Sequence, residues 1–172
     1  MIGGVPCSGK STLMKSILQD LGDSKSIEPM KLFRCQKHND ILVIGDYSRD
    51  TDFGGTDRLS YGVIKKFRSF IEQEYPKHRH ILCEGDRFFR SVELEWLLDN
   101  YDTQIYILEI SHHTERERHL QRQDNQSEVW LKSRRKLIEN VKTNFVLMDY
   151  LNIRNTQRND VKCEILTNLY SE

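Results

Sequence analysis

Gly4-Val5-Pro6-Cys7-Ser8-Gly9-Lys10-Ser11 is the stretch with the densest chemistry, a complete G-x-x-x-x-G-K-[ST] run. Glycines at 4 and 9 let backbone N–H groups converge on phosphate oxygens, and a helix starting at the same place adds positive field. Lys10 is a point charge for the outer phosphates, and the Ser11 hydroxyl is a ligand for Mg²⁺. The expected phosphate contacts are Gly4, Pro6, Cys7, Ser8, Gly9, Lys10, Ser11 and Thr12.

Two acidic residues follow apolar runs. Asp46 comes after Ile41–Gly45, and Glu84 comes after His80–Cys83 and leads into Gly85-Asp86-Arg87. A third chemical feature is the arginine-dense stretch holding Arg116, Arg118 and Arg122. Residues 116 and 118 cannot share a helix face, whereas 118 and 122 can. The cysteines at 7, 35, 83 and 163 form no CxxC pair, so reduced thiols are expected. Cys35 with His38, or His112, His113 and His119, lacks the second ligand pair that zinc needs.

These residues need elements to hold them. Apolar residues at 13, 14, 17, 18 and 21 predict a helix after the phosphate-type loop, ended by Gly22. The strand before the loop is reduced to Met1-Ile2, with Gly3 already turning. Lys31–Gln36 and Ile41–Gly45 read as strands joined at 37–40, and residues 46–57 as a polar, glycine-rich loop. Leu59, Val63, Phe67, Phe70 and Ile71 predict one helix ending before Pro76. Then come a strand at His80–Cys83, a helix at Val92–Leu98 and a strand at Gln104–Ile110. A polar segment, 111–127, precedes a helix carrying Trp130, Leu131, Leu137, Ile138 and Val141. Leu151–Arg154 is the last expected strand, and Val161, Ile165 and Leu169 mark a closing helix. Strands alternating with helices predict an α/β fold of three layers, a mainly parallel central sheet covered on both faces.

The 172 residues suit a single domain, 1–172. No apolar run approaches the ~18 residues of a membrane span and no basic-then-apolar leader is seen, so a cytoplasmic protein without a membrane partner is expected. With 26 basic against 26 acidic residues the net charge is zero, but the zero is uneven. Residues 58–80 carry six Lys/Arg against two acids, residues 84–102 six acids against two arginines, and residues 111–136 seven Lys/Arg against four acids. The balance therefore does not count against a nucleic-acid partner.

Small size, acidic strand ends and the late arginines together resemble the nucleoside and nucleoside-monophosphate kinase branch of P-loop proteins. No Asn-Lys-x-Asp for guanine is present. The resemblance implies a P-loop NTPase fold with an Arg-rich lid at about 111–127, and ATP with Mg²⁺ as cofactors. It also implies Asp46 as the base at the acceptor hydroxyl, with Asp50, Asp52 and Asp57 as rivals, and Glu84 in the metal shell beside Ser11. Asp86 and Arg87 would face the substrate, lid arginines 116, 118 and 122 would meet developing charge, and Asn155-Thr156 would fall near the adenine.

Gly45-Asp46-Tyr47-Ser48, Phe53-Gly54-Gly55-Thr56-Asp57-Arg58-Leu59-Ser60 and Glu84-Gly85-Asp86-Arg87-Phe88-Phe89 further resemble short bacteriophage P-loop kinases. Some of these phosphorylate 5-hydroxymethyluracil in DNA. That likeness implies an acceptor held by Asp46, Gly55, Thr56, Asp57 and Arg58, in the host-cell cytoplasm, with Phe53, Phe88 and Phe89 as candidates to stack on a base. Two other readings use the same residues. One is a kinase of a free nucleoside or nucleoside monophosphate, the other an ATP-binding module without catalysis.

Overall fold

The fold is that of a computed structural model describing residues 1–47, 54–123, 126–155 and 160–170. In chain order the elements are β1 (Ile2–Gly4), α1 (Lys10–Leu21), β2 (Lys25–Met30), β3 (Phe33–His38), β4 (Ile41–Ile44), α2 (Phe67–Glu74) and β5 (His80–Cys83). They continue with α3 (Ser91–Asn100), β6 (Ile105–Glu109), α4 (His112–Arg122), α5 (Glu128–Lys142), β7 (Leu151–Asn155) and α6 (Asp160–Tyr170). The class is α/β. No helix among the described residues is long and apolar enough to cross a membrane.

The chain forms two compact units. The first comprises Met1–Lys10 and Phe89–Val161. Its sheet is all parallel, ordered β1-β6-β7, with Ile2 opposite Tyr106 and Ile105 opposite Leu151. A central parallel strand is wet on neither face, and Ile105–Leu108 are accordingly all buried. Gly3 and Gly4 belong to β1 and do not turn, which corrects the sequence expectation. The Phe89 ring occupies the space where a side chain at position 3 would project, so only glycine fits that strand position.

The second unit runs from Ser11 to Phe88 and resumes at Lys162. Its sheet is ordered β2-β3-β4-β5, antiparallel except for the β4–β5 pair, where Ile41 lies opposite His80 and Ile44 opposite Cys83. All four residues of β4 are buried. Beside them is an aromatic stack: Phe33 and Phe70 have ring centroids 4.0 Å apart, and Phe67 and Phe88 4.3 Å.

Four sequence expectations change here. The strands lie in two sheets, one of them mixed, because β3 turns back on β4 through Asn39 in the left-handed region at φ 52°. β2 was not anticipated, since Pro29 and its lack of alternation argue against a strand. It is tolerated as a half-exposed edge with a register shift between Ile27 and Met30. The single helix expected over 59–71 is a 3₁₀ segment, Tyr61–Lys66, leading into α2. Ser60 starts it by accepting a hydrogen bond from the Gly62 amide at 3.3 Å, and glycine there weakens a regular α-helix. Phe88 and Phe89 are fully buried core residues, not stacking platforms, while Phe53 lies outside the described residues.

Candidate active site

The loop from Gly4 to Lys10 is built by backbone conformations that few residues tolerate. Gly4 has φ 148°, and a Cβ there would lie 2.5 Å from the Leu108 carbonyl and 2.6 Å from Ser8 Oγ. Gly9 has φ 96° and Cys7 φ 59°. The turn delivers the chain into α1 at Lys10, so the first amides of that helix have no intrahelical acceptor. The Lys10 ammonium lies over the loop, donating to the carbonyls of Gly4 at 2.9 Å and Val5 at 3.0 Å. Ser8 is fully buried, and its hydroxyl has no hydrogen-bond partner among the described residues. Amide-rich turn, ammonium and an unsatisfied buried hydroxyl are donors that fit a phosphate chain. Pro6 is buried in the loop, and Thr12 is exposed on α1.

Helix α4 meets this loop. Ser111 caps it by accepting from the Thr114 amide at 3.0 Å. One turn apart on its inner face, Arg118 donates to the Cys7 carbonyl at 2.9 Å and Arg122 approaches Cys7 Sγ at 3.7 Å. His119 Nδ1 lies 3.6 Å from the same sulfur. Arg116 is exposed, two positions away around the helix. The same face is pinned one turn earlier: Arg135 Nε donates to buried Glu115 at 2.9 Å and Arg135 NH1 to Glu128 at 2.8 Å, joining α4 to α5. These two hydrogen bonds raise the Arg135 pKa, Glu115 contributing more.

In the second unit the centre is Glu84, 2% exposed at the end of β5. Its carboxylate Oε1 accepts from Ser11 Oγ at 3.3 Å and Tyr47 OH at 3.1 Å, and its carbonyl accepts from Thr56 Oγ1 at 2.8 Å. Two glycines permit this closeness. A Cβ on Gly55 would overlap the Glu84 carboxylate, and one on Gly85 would lie 2.6 Å from Thr56 Oγ1. Burial, and then the Glu84 charge, push the Tyr47 phenol well above its ordinary pKa, so it stays a donor.

Asp46 closes the loop that begins at its position, exchanging backbone hydrogen bonds with Gly55 at 3.1 and 3.0 Å. Its carboxylate is flanked by Arg34 at 3.6 Å and Arg58 at 3.8 Å. Arg87 donates to the Asp57 carbonyl at 3.1 Å and lies 4.4 Å over the Tyr61 ring. Asp86 is half-buried next to Arg87. Asn155 ends β7, opposite Glu109, and is exposed. Ser48, Asp50, Asp52 and Thr156 lie outside the described residues.

The structure thus brings Ser11, Glu84, Thr56 and Gly55 together, groups Asp46 with Arg58, and Arg87 with Asp57. It also places Arg118 and Arg122 on the loop, and leaves Arg116, Thr12 and Asn155 exposed. Sequence reasoning missed Tyr47, Arg34, His119 and Arg135 as partners. Among the described residues no three His, Cys, Asp or Glu side chains gather to hold a metal on their own. Ser11 and Glu84 instead form the sparse oxygen set that suits Mg²⁺ shared with phosphates and water. No protein-family model and no curated protein sequence matches the chain.

Proposed function

We propose that the chain is a P-loop phosphotransferase moving the γ-phosphoryl group of ATP to a hydroxyl on a nucleobase or nucleoside. The observation that carries the proposal is the 3.3 Å approach of Ser11 Oγ to buried Glu84, immediately after Lys10 in the chain. A lysine, a hydroxyl and a strand-end carboxylate are the groups that phosphoryl transfer requires, because the reaction rests on positioning and charge stabilisation.

In this scheme the loop amides and Lys10 hold the β- and γ-phosphates. Ser11, and Glu84 through water, would hold Mg²⁺, which supplies charge neutralisation across the phosphates when bound. The acceptor oxygen bonds to the γ-phosphorus as the bond to the β-bridging oxygen breaks, ADP leaves, and the hydroxyl proton passes to the Asp46 carboxylate. By the resemblance, Arg118 and Arg122 would meet charge on the transferring group, and Arg87 with Asp57 would border the acceptor.

Hydroxymethyluracil in DNA is the first acceptor to test. The exposed cations Lys65, Lys66, Lys77 and Arg79 suit a phosphate backbone. A cytoplasmic reaction with host ATP follows from this reading. The experiment is transfer of labelled γ-phosphate to hydroxymethyluracil DNA, ordinary DNA, free nucleosides and nucleotides. Labelling of hydroxymethyluracil DNA supports the proposal, labelling of free nucleoside alone moves the acceptor to small molecules, and ATP binding with no labelled acceptor defeats it.

A further inference from the structure

β7 is the outermost strand of the sheet β1-β6-β7, and it lacks the features that usually protect an edge. β2, at an edge of the other sheet, carries Lys25, Pro29 and a register shift between Ile27 and Met30. β7 has no lysine or proline, and it pairs with β6 in unbroken register from Leu151 to Asn155. The turns before it are rigid and apolar. Leu147 is fully buried and anchors them, with the Met148 amide donating to the Asn144 carbonyl at 3.0 Å and the Tyr150 amide to the Leu147 carbonyl at 2.8 Å. The Asn144 side chain accepts from the Val146 amide at 2.9 Å and donates to Glu95 at 2.7 Å. Around this anchor Phe145 is 88% exposed, and Val146, Met148 and Tyr150 are each more than half exposed. Ile153, in the middle of β7, is exposed as well.

Successive turns keep their residues within ~7 Å, so these side chains make one patch, not scattered positions. With Ile153 the patch presents on the order of 500 Å² of apolar-residue surface, at the upper end of what a lone soluble chain leaves uncovered. A polar rim of Thr143, Asp149, Asn152 and Arg154 extends it toward the ~800 Å² per partner of a stable interface. Because the turns are already fixed, covering them costs little ordering.

Charge decides what covers the patch. Asp149 is exposed just before β7, and Arg154 is half-buried near its end. When the segment is set antiparallel to a copy of itself, about a two-fold axis between Leu151 and Asn152, Asp149 falls opposite Arg154 of the second copy. Tyr150 falls opposite Ile153, and symmetry makes each pair occur twice. Opposite charges, and an aromatic ring against a β-branched side chain, are the cross-strand pairs that stabilise.

We propose that the surface of residues 145–154 joins two copies of the chain into a symmetric dimer. The apolar turns supply the buried area, β7 lies antiparallel to the second β7, and the two Asp149–Arg154 pairs set the register and favour an identical chain over another peptide. The proposal is independent of the phosphoryl-transfer reading.

The test is sedimentation velocity of the full chain at up to about 100 μM, above the micromolar constant expected of an interface this size. Wild type is compared with Phe145→Asp, Asp149→Arg and Arg154→Asp. Wild type is expected to sediment as a dimer. Each substitution is expected to raise the dissociation constant about a hundredfold or more, the charge reversals because each sets two like pairs together. An equimolar mixture of the Asp149→Arg and Arg154→Asp chains restores opposite charges across the axis and is expected to sediment as a dimer again. Only folded chains can recover in this way, so the mixture separates a lost contact from a lost fold. A monomeric wild type overturns the proposal, and so do single variants that stay dimeric or a mixture that stays monomeric.

Discussion

Ser11 Oγ lies 3.3 Å from Glu84 Oε1, joining the residue after the loop lysine to the end of β5. The carboxylate is fixed before any ligand arrives, because Tyr47 donates to the same oxygen and Thr56 to the Glu84 carbonyl. Such fixed geometry lets a site act without reorganising during the reaction. Glu84→Gln keeps the shape and removes the charge. It is expected to lower turnover by about a hundredfold and to raise the Mg²⁺ concentration for half-maximal rate, as measured by a magnesium titration of activity. An unchanged titration curve would remove Glu84 from the metal shell.

Lys10 and Gly4 should separate function from fold. Lys10→Ala is expected to abolish most transfer while the thermal unfolding curve stays near wild type, since Lys10 is partly exposed and donates to two loop carbonyls, those of Gly4 and Val5. Gly4→Ala introduces a Cβ against the Leu108 carbonyl at a left-handed backbone position. It should cost about 1–3 kcal/mol in denaturant unfolding.

Helix α4 offers an internal control. Arg118 reaches Cys7 and Arg116 is exposed. Arg118→Ala is expected to lower kcat by about a thousandfold, the low end for an arginine acting on a transferring phosphoryl group. Arg116→Ala should stay within about threefold. Equal effects of the two in steady-state kinetics would contradict the lid assignment.

Glu74 provides a pH signature of stability. Burial alone would raise its pKa, but hydrogen bonds from Lys77 and Gln73 at 2.8 Å, with His78 at 3.4 Å, outweigh burial and hold it below the ordinary value. A depressed folded-state pKa contributes stability that is present above the unfolded value of ~4.3 and is lost as pH falls through the folded one. His38 adds to the same limb. Burial lowers its pKa, partly opposed by the Gly22 backbone, so protonating it in the unfolded chain below ~6.5 favours unfolding. Chemical unfolding of Glu74→Gln between pH 3 and 7 should show about 1–3 kcal/mol less stability at neutral pH and a shallower acid limb. A parallel acid limb would contradict the account.

The legible parts of the molecule were those with local signals. The apolar run His80–Cys83 before Gly85 marks β5 and its acidic end, and the loop glycines mark the turn into α1. Helical periodicity alone puts Arg118 and Arg122 on one face. What stayed hidden depends on distant partners. Glu115 and Arg135 meet across 20 positions, and β2 exists only as an edge against β3. Gln36, polar on an alternating strand, reads as a solvent position yet is buried. Phe88 and Phe89 fill the core because the interior needs their volume, which no motif announces.

The most direct measurement of the central claim is labelled γ-phosphate transfer to hydroxymethyluracil DNA by wild type and Asp46→Asn, with ATP binding measured alongside. The account expects transfer by wild type, a loss of about a hundredfold or more in Asp46→Asn, and equal ATP affinity in both. No transfer by a wild-type chain that binds ATP, or undiminished transfer by Asp46→Asn, would contradict it.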